Sequence, residues 1–167
     1  MSKRNPETLN LVMDYSALME SCAAYCEVTR PTIREPEAAY RLIAPLIAAA
    51  TNGHAQESFF VILLDTKNKA IAAPSMATLG LLNTSPVHPR EVFRAAIQNN
   101  AASVILVHNH PSGDPTPSKE DIECTRRLVE AGKVLGIAVT DHLIVGRATD
   151  TAPAYMSLRE KNLVSFT

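Results

Sequence analysis

A chain of 167 residues is long enough for one domain with its own apolar core, and 46% of its residues are apolar. Its 16 basic and 17 acidic residues give a formal net charge of −1, so the chain has no overall attraction to nucleic acid or to an anionic membrane. Composition therefore argues against a protein that works mainly by binding phosphates.

The cysteines and the longest apolar stretches indicate the environment. The three cysteines are odd in number and no signal peptide is evident, so we expect a reducing, cytoplasmic protein without structural disulfides. Cys22 and Cys26 could share a helix face, but no second Cys or His pair has zinc-finger spacing, and we expect both to pack in a core. The apolar run Leu42–Ala50 is too short to span a bilayer, so we expect no membrane association.

The first part of the chain predicts a terminal segment, a helix and a strand. Residues 1–30 form a separate N-terminal segment, helical by the apolar spacing of Leu9–Val28, ahead of a domain over 31–167. Acidic neighbours of Pro36 indicate a helix start, and the helix should cover about Pro36–Ala50. The near-continuous apolar run Ser58–Asp65 predicts a strand that is buried on both faces.

The middle of the chain predicts a hairpin, a helix and a second buried strand. Turn-like residues 66–69 should return the chain along Ala70–Pro74 beside the first strand, and a looser strand should follow at Ala77–Leu82. Proline opens a helix over Pro89–Asn100 that is apolar on one side. Ala102–Val107 then predicts another buried strand.

The last predicted elements are a long helix and a strand. Ser118–Leu135 has helical periodicity and ends at Gly136, and Ile137–Val145 predicts a strand that ends at a turn. The resulting order, α–β–β–β–α–β–α–β, predicts an α/β (α+β) fold with a mixed sheet and helices packed on it.

The segment His108–Asp121, HNHPSGDPTPSKED, joins the second buried strand to the long helix. If the strand extends that far, His108 and His110 lie on one face with Cα atoms about 7 Å apart, so both rings can reach one ion. The turn rich in Pro and Gly then brings Asp121 to the first helical turn as a third ligand. Two histidines and one carboxylate leave the fourth tetrahedral position for water, as in catalytic zinc sites.

Other interpretations apply to the same segment. Ser118 and Asp121 have the spacing of a capping box, which needs no metal but is compatible with one. Histidines at a strand end are often structural, yet two of them buried without partners would cost free energy. Cys124 could be a fourth ligand, although we expect it to pack with Leu128 on the inner helix face. The letters HNH are not the scattered ββα-metal residues of HNH nucleases, and the H-E-x-x-H and deaminase zinc signatures are absent from the sequence.

His108, His110, Ser118 and Asp121 match H-x-H-P-x6-S-x2-D, and the chain resembles the MPN (JAB) metalloproteases that carry this JAMM motif. Together with LLDTKNKAI, HPREVFRAAI and DHLIVG, the segment resembles the RadC branch of that family over about Glu35–Leu163. Because full-length RadC proteins carry a helix-hairpin-helix region ahead of this domain, we expect a short form that lacks it.

The resemblance implies a fold, a metal and a reaction. The fold is an MPN (JAB) domain of cytidine deaminase-like architecture, and one Zn²⁺ per chain would be held by His108, His110 and Asp121. Glu57 stands at the place of the family's general base, although the residue alone is more simply an exposed carboxylate at a strand entry. Ser118 would stabilise the oxyanion as a peptide or isopeptide bond is hydrolysed.

The remaining expectations concern outer residues, partners and competing functions. Asp141 and His142 are expected to form a buried polar pair near the sheet, and His54 and His88 to lie on the surface or in turns. The expected partner is an unidentified peptide or protein substrate; charge does not support nucleic acid, and a homo-oligomer is left open. The alternatives are a DNA repair or processing protein, as the RadC name suggests, and a non-catalytic MPN interaction module, which the retained ligands disfavour.

Overall fold

The computed structural model describes residues 15–80, 87–147, 149 and 154–166, and these ranges contain one five-stranded sheet. Its strands are, in chain order, β1 (Ser58–Leu64), β2 (Ser75–Leu79), β3 (Ser103–Asn109), β4 (Ala138–Val145) and β5 (Tyr155–Ser157). The spatial order is β2-β1-β3-β4-β5, with β3 and β4 parallel and each other neighbouring pair antiparallel. The mixed sheet of the predicted α/β fold is confirmed.

Helices cover both faces of this sheet: α1 (Tyr15–Thr29), α2 (Pro36–Ala50), α3 (Pro89–Gln98) and α4 (Lys119–Leu135). Successive side chains of a strand point to opposite faces, so β1 contributes to two cores. Phe59 lies in one core with residues of α3 and α4, whereas Phe60 lies in the other with residues of α1 and α2. All seven residues of β1 and all seven of β3 are buried, which explains why both strands are near-continuous apolar runs.

The long helix begins and ends where the sequence predicts. Ser118 is the N-cap residue of α4, in extended backbone conformation, and its hydroxyl oxygen accepts a hydrogen bond from the backbone N–H of Asp121. Gly136 ends the helix in the left-handed conformation, with φ of 69°, which glycine adopts without the steric cost of a Cβ. These caps fix Asp121 in the first turn of α4.

The predicted hairpin partner of β1 is wrong. Ala70–Pro74 is no strand. It returns beside β1 only at its first residues, through a bridge between Leu64 and Ala70 and a hydrogen bond of 3.1 Å from the Ile71 N–H to the Leu63 carbonyl, and the antiparallel strand next to β1 is β2. The backbone N–H of Ala70 donates to the carbonyl of Pro31, so this part of the chain also pairs with the segment before α2. The looser strand predicted at Ala77–Leu82 overlaps β2 up to Leu79, and residues 81–82 lie outside the described residues.

The other differences between the predicted and the observed elements lie near the two ends of the chain. The predicted helix over Leu9–Val28 corresponds to α1 from Tyr15 onward, and residues 9–14 lie outside the described residues. The short strand β5 was not predicted. Division of the chain into 1–30 and 31–167 stays a prediction.

Within the described ranges, no helix combines the length and the apolar character that crossing a bilayer requires.

Candidate metal centre

Pairing of β1 with β3 brings the candidate residues to one end of the sheet. Phe59 lies opposite His108 in this antiparallel pair, so two residues further toward the end of the strands Glu57, just before β1, comes beside His110, just after β3. His110 is held at the end of β4, because its backbone N–H donates to the carbonyl of Val145 at 2.9 Å. Three sequence-predicted residues are thereby brought together by strand register alone.

The turn after His110 lies against the end of β4. The backbone N–H of Arg147 donates to the carbonyl of Gly113 at 2.8 Å. A Cβ on Gly146 would overlap this same carbonyl, so the close approach of the two segments requires glycine. The turn then leads into α4, which presents Asp121 to the histidines.

Three side-chain groups converge at this point. The Nε2 atoms of His108 and His110 are 3.0 Å apart. Asp121 Oδ1 lies 3.2 Å from His108 Nε2, and Asp121 Oδ2 lies 3.3 Å from His110 Nε2. Ligand atoms bonded tetrahedrally to zinc at about 2.1 Å are about 3.4 Å from one another, so these spacings suit a zinc ion after small adjustments.

Hydrogen bonds on the far side of each ring favour metal-binding tautomers. His110 Nδ1 is 2.8 Å from the carbonyl oxygen of Asp114, and since a carbonyl can only accept, Nδ1 must donate. When neutral, the ring of His110 therefore carries a lone pair on Nε2, the atom that faces Asp121. His108 Nδ1 shares a hydrogen bond of 2.8 Å with His142 Nε2, so its Nε2 can likewise carry a lone pair.

Glu57 belongs to the same cluster. Glu57, His108 and His110 each offer a ligand atom within 4.8 Å of the others. Burial raises the pKa of Glu57 above its ordinary value, although nearby His108 and His110 act in the opposite direction. Glu57 is half-buried, so it does not fit the alternative of an exposed carboxylate at a strand entry. Its position permits two roles, as a base beside a metal or as a ligand.

Asn109, between the two histidines, holds the backbone on both sides of Glu57. Its Oδ1 accepts hydrogen bonds from the backbone N–H of Ser58 at 2.9 Å and from the Ser58 hydroxyl at 2.6 Å. Its amide donates to the carbonyl of Gln56 at 2.9 Å. The sequence interpretation missed this role, although a polar residue between two histidines at the end of an apolar strand is a signal for it.

The capping box and the proposed ligand role coexist in Asp121. Asp121 Oδ2 accepts hydrogen bonds from the backbone N–H and the hydroxyl of Ser118, each at 2.7 Å. Burial would raise the pKa of Asp121, but contacts with His108, His110 and Ser118 hold it well below its ordinary range. The Ser118 hydroxyl proton is engaged with Asp121 here, so it would have to turn to reach a substrate oxyanion.

Asp141 and His142 are both buried in the sheet, as expected, and the His142 backbone N–H donates to Asp141 Oδ1 at 2.7 Å, but their side chains do not contact each other. Consecutive strand residues point to opposite faces, so their side chains diverge from β4. Asp141 accepts hydrogen bonds from the Ser157 hydroxyl at 2.7 and 2.9 Å, while the ring of His142 contacts His108 and Thr125. Burial lowers the pKa of His142 well below its ordinary value, so the ring is neutral.

The other singled-out residues lie outside the convergent group. Cys124 is partly buried and packs against the core that contains Leu128, as expected. His54 is partly buried, with φ of 71°, and His88 precedes α3, where its backbone N–H donates to Glu91 Oε2 at 3.1 Å. Cys26 is buried in the second core.

A cleft of about 730 Å³ opens over the convergent groups, a size typical of ligand sites. It is lined by Glu57, His110, Pro111, Ser112, Ser118, Glu120 and Asp121. The residues that could hold a metal therefore face a space that a substrate can enter.

Comparison with known proteins finds one family. The RadC-like JAB domain matches residues 33–163. A UPF0758 protein of Caldanaerobacter subterraneus is 57% identical over 111 residues, which are 66% of this chain and 45% of the relative. A UPF0758 protein of Symbiobacterium thermophilum is 47% identical over 143 residues, 86% of this chain and 57% of the relative. The chain thus spans about half the length of these curated relatives.

Proposed function

Because the chain belongs to the RadC-like JAB domain family, we propose that it is a zinc-dependent hydrolase that cleaves a peptide or isopeptide bond. One observation carries the proposal: the Nε2 atoms of His108 and His110 and the carboxylate of Asp121 converge within 3.3 Å, beside Glu57 and under an open cleft. Such a ligand set leaves one coordination position for water, as catalytic zinc sites do.

A zinc ion held by these three residues would polarise the scissile carbonyl and lower the pKa of a coordinated water to about 7. Glu57 would take the proton of the attacking water and pass it to the leaving amine. Its raised pKa suits both steps, since a base of very low pKa would hold the proton too weakly to deliver it.

Ser118 would donate its hydroxyl proton to the oxyanion that develops on the attacked carbonyl. Its hydroxyl lies at the cleft and now donates to Asp121 Oδ2 at 2.7 Å. A cation bound to the Asp121 carboxylate would neutralise its charge and weaken this hydrogen bond. The Ser118 hydroxyl proton would then be available to the substrate.

The proposed partner is a peptide or protein with an extended segment that enters the cleft. A near-neutral chain gives no general attraction to DNA, so a nucleic-acid substrate is the weaker alternative. If the protein does not bind DNA even at low salt, a peptide or protein substrate is supported. Tight DNA binding with a steep salt dependence would contradict it.

The first test is metal content. The wild-type protein should purify with zinc, or bind it with high affinity, whereas His110→Ala and Asp121→Ala should lose most of that affinity. His88→Ala is the matched control, because it removes an imidazole outside the cluster. Wild type without zinc affinity, or equal affinity in all four proteins, would contradict the proposal.

The second test separates the two roles of Glu57. Glu57→Gln should retain zinc but lose hydrolysis of a panel of quenched fluorescent peptides and ε-linked lysine isopeptides, because the amide cannot accept the proton. Loss of zinc from this variant would instead make Glu57 a ligand. Undiminished hydrolysis would exclude both roles.

A further inference from the structure

A continuous line of hydrogen bonds joins two of the proposed ligands behind the metal centre. His108 Nδ1 and His142 Nε2 are 2.8 Å apart, and His142 Nδ1 and the hydroxyl of Thr125 are 2.6 Å apart. The Thr125 hydroxyl in turn donates to the backbone carbonyl of Asp121 at 2.6 Å. The line therefore starts at a ligand from β3 and ends at the residue that supplies a ligand from α4.

We propose that His142 and Thr125 are positioning residues that hold His108 in the tautomer with the proton on Nδ1, so that Nε2 is free to bind metal. The inference rests on the proposed zinc site. A neutral imidazole can carry its proton on either nitrogen, so His108 cannot fix its own tautomer. His142 and Thr125, which lie behind the site, would fix it.

The direction of the line follows from counting protons. The Asp121 carbonyl can only accept, so the single hydroxyl proton of Thr125 is used there, and Thr125 Oγ must accept from His142 Nδ1. A neutral His142 with its proton on Nδ1 has a lone pair on Nε2. That lone pair can only accept from His108, so the His108 proton is on Nδ1.

The reverse direction is disfavoured by the same contacts. If Thr125 donated to His142, its oxygen would face the Asp121 carbonyl oxygen at 2.6 Å with no proton between them. His142 would then donate to His108, and the proton of His108 would occupy Nε2, where the metal must bind. The short hydrogen bond from Thr125 to the Asp121 carbonyl thus selects, through His142, the tautomer of His108 that can bind metal.

Burial makes this selection effective. His108 and His142 are each 1% exposed, and Thr125 is 0% exposed, so water cannot replace a missing partner. Phe59 covers the two rings, lying parallel to His108 with centroids 5.9 Å apart and tilted against His142 at 5.4 Å. A break in the line would leave a buried polar group unpaired and the tautomer of His108 unselected.

The test compares Thr125→Val, which removes the hydroxyl at nearly constant volume, with Thr125→Ser, which keeps it. Thr140→Val is the control, because Thr140 on β4 also donates its hydroxyl to a backbone carbonyl, that of Val104 at 3.3 Å, and takes no part in the line of hydrogen bonds. Zinc affinity, measured by competition with a chromophoric chelator, should fall roughly 10- to 100-fold in Thr125→Val, the range found for partners of metal-bound histidines. Thr125→Ser and Thr140→Val should stay close to wild type.

A second readout does not need metal. In metal-free protein with ¹⁵N-labelled histidine, the NMR shifts of His108 should report a proton on Nδ1 in wild type and Thr125→Ser, and a mixture of tautomers in Thr125→Val. Unchanged tautomer and zinc affinity in Thr125→Val would overturn the inference, as would equal losses in Thr125→Val and Thr140→Val. Absence of zinc binding in wild type would defeat the proposed function instead, while the tautomer measurement would still test the hydrogen-bonded line.

Discussion

Ser118 combines a structural and a proposed chemical task in one hydroxyl group. As the N-cap of α4 it accepts from the backbone N–H of Asp121 at 3.1 Å, and it donates to the carboxylate of the same residue. The two tasks make different demands. Capping needs an oxygen atom or an unhindered backbone, whereas stabilising an oxyanion needs a proton donor.

Substitution by alanine and by glycine separates these tasks. Ser118→Ala should lower the free energy of unfolding by about 1 kcal/mol, while Ser118→Gly should lower it by only about 0.3 kcal/mol, because glycine is tolerated at the N-cap. Both lack the hydroxyl, so both should lose hydrolysis by roughly 100-fold or more. The measurements are denaturant unfolding and turnover of whichever peptide is cleaved. A loss of turnover that follows the loss of stability would show that Ser118 acts only as a cap.

The candidate metal ligands could be predicted because their signal is local. His108 lies on β3 and His110 directly follows that strand, and Ser118 and Asp121 lie within one helical turn. Their partners were not predictable in the same way. His142 stands 34 residues from His108 and contacts it only because β3 and β4 run parallel with Leu106 opposite His142, a register that sequence periodicity does not contain.

At the level of strands and helices, β1, β3 and α4 were predicted because a strand covered on both faces and a well-capped helix leave strong patterns. The strand beside β1 was wrongly assigned to Ala70–Pro74, because the position of β2 depends on where the preceding segment pairs. Asp65 accepts hydrogen bonds from the backbone N–H groups of Lys67 and Lys69, and the chain then bridges to Thr32 before it reaches β2. The path of the chain between β1 and β2 is therefore set by contacts between residues that are far apart in the sequence.

The hydrogen bonds of the Asn109 side chain with Gln56 and Ser58 connect the end of β3 to the start of β1, and they can be tested by substitution. Asn109→Asp keeps the shape and the acceptor for Ser58 but loses the donor to Gln56, leaving a carboxylate oxygen against a carbonyl at a buried position. Unfolding free energy should fall by about 1–3 kcal/mol, the cost of an unsatisfied buried polar group. Hydrolysis should also fall, because Glu57 would shift, while zinc content is kept.

Asn99→Asp is the matched control for that variant. The side-chain amide of Asn99 also donates to a backbone carbonyl, that of Ala95 at 2.9 Å, but it lies exposed at the end of α3, where water can replace the bond. The free energy of unfolding of Asn99→Asp should therefore differ little from that of wild type. Equal effects of the two substitutions on unfolding, or full hydrolysis in Asn109→Asp, would count against a role of Asn109 in holding Glu57.

For the molecule as a whole, the important fact is that the candidate ligands join separate parts of the fold. His108 and His110 come from the end of β3, whereas Asp121 comes from α4 after a turn of Pro- and Gly-rich sequence. At the same end of the sheet lie Glu57, directly before β1, and the ring of His142 from β4, which contacts His108. A cation bound there would link β3 and α4 directly, so its effect should extend beyond the site to global stability.

Zinc should therefore stabilise the native protein against thermal unfolding. A ligand present at 100 times its dissociation constant adds about 2.7 kcal/mol to the free energy of unfolding, which for a chain of this size corresponds to about 5–11 °C in Tm. Wild type and His88→Ala should show this rise when zinc replaces EDTA, because both retain the three ligands. Asp121→Ala should show almost none, although its metal-free Tm will also be lower through loss of the capping box. The decisive quantity is thus the zinc-dependent difference within each variant, and an equal difference in all three proteins would mean that zinc stabilises the fold from somewhere other than this centre.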